Sequence, residues 1–132
     1  MNILFIDKQD FQTKMRASLI ADMPQHTVQV IDNLDDLKLE FKKGKYHIVI
    51  IDFDNVDEGN CIGVRCLDYI DSVDVHQRVI TLSASSNYSD PHGCEHCVNN
   101  YRRKRLNKPT PLHNLVRLID GYDTYSCDHY HV

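Results

Sequence analysis

No apolar run in this chain is longer than Ile48 to Ile51, against the roughly 20 residues a helix needs to cross a bilayer. Residues Met1 to Phe5 place no basic region ahead of a long apolar stretch, so nothing there reads as a secretion signal. Both absences lead to the expectation of a soluble, cytoplasmic protein with no membrane contact. A disulfide framework is missing as well. Cys61, Cys66, Cys94, Cys97 and Cys127 are odd in number and irregularly spaced, and a chain of 132 residues is large enough to fold without covalent staples, which fits a reducing compartment. Nor is there an excess of positive charge. A net charge of −4 excludes a protein that coats nucleic acid by charge alone, and no direct nucleic-acid contact is expected. Internal repeats and low-complexity segments are absent, and only 121–132 lacks apolar periodicity.

What is present is the mix of a single globular domain, 42% hydrophobic and 26% charged, able to bury one core. Residues 1–120 read as that domain, and 121–132 as a tail or the start of a linker to an output domain outside this chain. Asn2 to Ile6 is almost wholly apolar, as in a strand buried on both faces. Phe11, Met15, Leu19 and Met23 recur every four residues and predict a helical face, with Asp10 as N-cap and Pro24 as its end. Thr27 to Ile31 is a β-branched strand. A helix follows from Asn33, with Leu34, Leu37 and Phe41 on one face and Gly44 as its stop. Ile48 to Ile51 is the strongest strand and delivers Asp52 and Asp54 just beyond its carboxyl end.

The next helix carries Ile62, Val64, Cys66, Leu67 and Ile70 on its buried side and leaves Asp68 and Asp71 exposed. Arg78 to Ser83 is a fourth strand. Ser85 to Asn100 predicts a short or distorted helix interrupted by Pro91 and Gly93. Tyr101 to Leu106 supplies a fifth, solvated edge strand. The last helix is capped by Thr110, has Pro111 at its first position, and turns Leu112, Leu115, Val116 and Ile119 inward. Strands alternating with helices through short connections predict an α/β fold, a single doubly wound five-stranded parallel sheet with helices on both faces. In such sheets ligands gather at the carboxyl ends of the strands, where Asp7, Asp52, Asp54, Ser83 and Lys108 all fall.

A carboxylate attacks a phosphoryl group when a divalent cation screens the phosphate oxygens and a cation and a hydroxyl steady the rest. Asp52 is the candidate nucleophile. Asp7 would help hold Mg²⁺, Ser83 would hydrogen-bond a phosphoryl oxygen, and Lys108 would pair with the phosphate or with Asp52.

The order and spacing of Ile-Asp after strand one, Ile-Val-Ile-Ile-Asp at strand three, Leu-Ser-Ala after strand four and Lys108-Pro109 after strand five resemble response-regulator receiver domains, from Asn2 to about Asp120. The resemblance implies a CheY-like, flavodoxin-like fold, a phosphoacceptor at Asp52, the conserved hydroxyl at Ser83 and the lysine at Lys108, followed by a proline whose preceding peptide bond is usually cis. It implies Mg²⁺ at Asp7, Asp52 and Asp54, the last mainly through its backbone carbonyl. It further implies a histidine kinase or phosphotransfer protein as partner, a homodimer through the face of helix four, strand five and helix five, and a place as the amino-terminal part of a transcriptional regulator. Such a domain is a switch rather than a turnover enzyme.

The chain departs from that pattern at three places. Lys8 stands where a second acid usually follows Asp7, Arg105 stands at the usual switch aromatic, and the proline expected after the acceptor is absent, with Val56 nearby. Lys8 keeps open a phosphorylation-independent interaction module of the same fold. Asp52-Phe53-Asp54-Asn55-Val56 also resembles the nucleophile motif of haloacid-dehalogenase-type phosphatases, in which the second acid is a general acid/base. Arg102 to Arg105 cannot form one basic surface, because alternate strand residues face opposite ways. Cys94 and Cys97, with Cys127, His129 and His131, raise a zinc site, against which unligated surface residues are the simpler reading.

Overall fold

The computed structural model describes residues 1–8, 11–23, 25–54, 56–57, 60–84, 103–109 and 111–121. Its strands are β1 (Asn2–Ile6), β2 (Thr27–Ile31), β3 (Ile48–Asp52), a short pair β4 (Val56–Asp57) and β5 (Asn60–Cys61), β6 (Val79–Ser83) and β7 (Arg103–Asn107). The helices are α1 (Phe11–Ala21), α2 (Leu34–Glu40), α3 (Ile62–Val73) and α4 (Leu112–Gly121).

Five strands form one parallel sheet in the order β2-β1-β3-β6-β7. β1 and β3 lie inside it, which explains why both are apolar almost throughout rather than alternating. Each inner strand sends alternate residues to opposite faces. Leu4, Ile6, Val49 and Ile51 meet Leu37 of α2 and Cys66, Leu67 and Ile70 of α3. Ile3, Phe5, Ile48, Ile50, Ile80 and Leu82 meet Ala17 and Ile20 of α1 and Leu115 and Ile119 of α4. The predicted doubly wound α/β class is therefore present, with helices on both faces.

Several local expectations are corrected. α1 does not bury the row containing Met15 and Leu19, which are 49% and 45% exposed; Thr13, Ala17 and Ile20 face inward instead. Residues four apart overshoot a helical turn by about 40°, so a strict four-residue row winds off any one face, whereas 13, 17 and 20 stay on it. α2 is capped as expected by Asn33, whose Oδ1 accepts from Asp36 N–H at 2.7 Å, but it closes at Phe41. Gly44, at φ +82°, serves the following turn. The antiparallel β4–β5 pair was not foreseen.

On α3, Asp68 is exposed as predicted, but Asp71 is tied to Arg103 by a 2.7 Å ion pair. The fifth strand is indeed an edge strand, but it is not uniformly solvated, because Arg103 is buried. The predicted helix at Ser85 to Asn100, the caps Asp10 and Thr110, the helix end at Pro24, and the tail 121–132 with the zinc candidates lie outside the described residues, apart from Gly121, which ends α4. Among the described residues no helix is long and apolar enough to cross a membrane.

Candidate functional site

The parallel sheet brings the ends of β1, β3, β6 and β7 to one edge, and each contributes a polar group. Asp52 ends β3 and is almost wholly buried. Its Oδ2 lies 2.6 Å from Lys108 Nζ, and its Oδ1 accepts from the Asp54 N–H at 2.7 Å. Lys108 follows β7 and is held in place through its backbone, whose N–H donates to Ser83 O at 2.9 Å. The Lys108-Pro109 peptide bond is cis. Burial opposes the ammonium, but hydrogen bonds and charge from Asp52 and Asp54 outweigh it and hold Lys108 above the ordinary lysine value.

Asp7 lies just beyond β1. Its Oδ1 accepts from Lys8 N–H at 2.6 Å and its Oδ2 from Thr13 Oγ1 at 3.0 Å. Burial, and then the charge of Asp52, push its carboxyl up to about 6 in spite of those two bonds. Thr13 was missed by sequence reasoning, although its place on the face shared with Ala17 and Ile20 could have marked it as an inward-facing polar group.

Asp54 lies on the other side of Lys108. Its Oδ2 lies 3.1 Å from Lys108 Nζ and accepts from Ala84 N–H at 2.9 Å, while its Oδ1 accepts from Ser83 Oγ at 3.3 Å. Burial pushes this carboxyl up, but the Ala84 N–H, Lys108 and Ser83 outweigh it, leaving Asp54 below the usual carboxylate range. The five candidate residues therefore converge, in two halves. Asp7 and Asp52 form an acidic half. Asp54, Ser83 and Lys108 form a half rich in donors.

No group of three or more His, Cys, Asp or Glu side chains among the described residues is arranged to hold a metal ion. The acidic half nevertheless fits Mg²⁺, which commonly takes one or two carboxylates and completes its shell with water and phosphate oxygens. A cation there would relieve the repulsion that raises Asp7. Lys8 is exposed, so the residue standing for the usual second acid is not buried in the pair.

The raised carboxyl makes a prediction for the metal-free protein. Below about pH 4 Asp7 is protonated both folded and unfolded and contributes nothing. As pH rises to 6 the unfolded chain loses this proton while the folded one keeps it. The unfolding free energy should therefore fall over that window, by roughly 2–3 kcal/mol from this group, and level off above it. Urea denaturation at pH 3 and 7.5 should show Asp7→Asn gaining stability relative to wild type between the two pH values.

Solved structures similar to this chain include many response-regulator receivers. A two-component response regulator from Clostridium difficile superposes with a TM-score of 0.67 at 15% identity, covering 94% of this chain and 96% of that one. The receiver domain of the Francisella response regulator 1452 gives 0.66 at 15%, covering 93% and 97%. The beryllofluoride-activated NtrC4 receiver domain dimer gives 0.64 at 17%, covering 95% and 98%. No protein-family model matches the sequence, and no curated protein matches it. The shared five-stranded parallel sheet with helices, and the span of the match, give this chain the fold of response-regulator receiver domains.

Proposed function

We propose that this chain is the receiver of a two-component phosphorelay, accepting a phosphoryl group on Asp52 from a histidine kinase or phosphotransfer protein. The observation that carries the reading is the 2.6 Å contact of Lys108 Nζ with Asp52 Oδ2 at the sheet edge where Asp7 and Ser83 also end. An Asp52 carboxylate oxygen attacks phosphorus, the N–P bond of the donor's phosphohistidine breaks, and the imidazole leaves with the electron pair and takes up a proton. Lys108 steadies the negative charge on the transferred group. Mg²⁺, when bound at Asp7 and Asp52, supplies charge screening for the phosphate oxygens. The output is a change in protein or homodimer contacts. Residues 1–120 would form the receiver unit, with 121–132 a tail or linker start, as the amino-terminal part of a cytoplasmic transcriptional regulator.

Intact-mass measurement after incubation with a small phosphodonor is the test. A Mg²⁺-dependent phosphoryl adduct is expected on wild type and not on Asp52→Asn. No adduct under any condition, candidate kinases included, would overturn the proposal.

The exposed Lys8 beside a lone Asp7 favours a second reading, an interaction module that works unphosphorylated; unchanged partner binding by Asp52→Asn would support it. The phosphatase reading is weaker. It needs Asp54 to exchange protons as a general acid/base, yet both Asp54 oxygens accept hydrogen bonds and its carboxyl lies below the usual range.

A further inference from the structure

The donors that a phosphoryl group on Asp52 would need already have an anion on them. Lys108 Nζ, Ser83 Oγ and Ala84 N–H come from the ends of β6 and β7, and all three point to the two oxygens of Asp54, at 3.1, 3.3 and 2.9 Å. An ammonium, a hydroxyl and a backbone N–H converging on one carboxylate make an anion cradle. Asp54 is well placed to fill it. Its backbone N–H is anchored on Asp52 Oδ1 at 2.7 Å, which fixes the turn after β3, and its side chain is 29% exposed, so it can rotate towards water without breaking the sheet.

We propose that the Asp54 carboxylate is a built-in stand-in for the phosphoryl group, holding the cradle in its anion-bound arrangement and yielding only when a phosphoryl group displaces it. The inference rests on Asp52 being the acceptor and adds a regulator to that site. Two consequences follow from charge alone. An incoming phosphoryl group meets the negative charge of Asp54 as well as that of Asp52, which slows its uptake. Once bound, it must take Lys108, Ser83 and Ala84 away from Asp54, so less new structure is created by phosphorylation than in a receiver whose cradle starts empty.

The test compares wild type with Asp54→Ala and Asp54→Asn. The first readout is the rate at which a small acyl phosphate with Mg²⁺ forms an adduct, followed by intact mass. The second is the concentration of inorganic phosphate that shifts the Ala84 amide resonance. Removing a charged competitor that accepts several hydrogen bonds should speed adduct formation and tighten phosphate binding about tenfold or more in Asp54→Ala, with a smaller gain in Asp54→Asn.

If both variants match wild type in both readouts, the stand-in is overturned while Asp52 remains the acceptor. If no protein forms an adduct but phosphate binds more tightly to the variants, the acceptor reading falls and the stand-in falls with it, leaving only an anion cradle that Asp54 occupies. The Asn variant preserves the side-chain shape and loses its charge, so it decides the matter alone should the alanine variant fail to fold.

Discussion

Replacing Gly63 by alanine is expected to destabilise the protein by about 1–3 kcal/mol and, under the proposed role of Asp52 as phosphoacceptor, to slow adduct formation. Gly63 lies in the first turn of α3 and packs directly on the end of β3. A Cβ there would stand 2.7 Å from the Asp52 carbonyl oxygen, 2.7 Å from Phe53 Cδ1 and 3.1 Å from Ile51 Cγ2. A side-chain tip could turn aside, but the carbonyl belongs to the backbone of the candidate acceptor itself. Relief must come from tilting α3 away or from moving the end of β3, and the second displaces Asp52 from Lys108. Gly44→Ala is the control. That position, at φ +82°, has nothing within 4 Å of an added Cβ, so the substitution costs about 1 kcal/mol of backbone strain and leaves adduct formation at the wild-type rate. Urea midpoints paired with adduct rates separate the two. A Gly63→Ala protein with wild-type values in both would show that the contact yields without moving the acceptor.

Arg103→Ala is expected to cost about 3–5 kcal/mol, the range for breaking a buried ion pair by removing one partner. The Arg103 side chain is fully buried while Asp71 is 16% exposed. Nε donates to Gln77 O at 2.6 Å, one terminal nitrogen donates to Asp71 Oδ1 at 2.7 Å, and the other reaches Val75 O at 3.2 Å and Asp74 O at 3.4 Å. One guanidinium thus closes the turn between α3 and β6. Alanine would strand an aspartate and several carbonyls at once. Lysine should recover little, since a single ammonium cannot reproduce the planar fork. Asp71→Asn should cost less than Arg103→Ala, because it retains an oxygen able to accept from the arginine. Chemical denaturation of the three variants gives the ranking, and an Arg103→Lys protein as stable as wild type would contradict it.

The architecture was legible because its strongest signals are local. Apolar runs such as Asn2 to Ile6 and Ile48 to Ile51 can be satisfied only inside a covered parallel sheet, and the polar residues that end them fall at its carboxyl edge whatever the details of the helices. The inward side of α1 was obscured because two of its large apolar residues, Met15 and Leu19, lie outward while a threonine and an alanine join Ile20 in facing in; size and hydrophobicity in the sequence favoured the wrong row. Arg103 was hidden for the opposite reason. A charged residue in a basic run reads as solvated until the fold supplies Asp71 and the carbonyls that satisfy it, and those partners lie some thirty positions away in the chain. Within the site, residue identities were readable but pairings were not. The resemblance assigns Asp54 to the metal mainly through its backbone carbonyl and says nothing of the partners its carboxylate takes, which are Lys108, Ser83 and Ala84. Only the geometry of the turn after β3 decides that direction.

β7 is fastened at both ends by charge, at its start through Arg103 to Asp71 and just past its finish through Lys108 to Asp52 and Asp54. The two fastenings differ in kind. The first is sealed in the protein and has no access to phosphate; the second lies where a new anion would arrive. On the proposed uptake of a phosphoryl group, an exchange of partners at Lys108 would leave Arg103 untouched, so the start of β7 would stay fixed while its far end, roughly 17 Å away, took up any change.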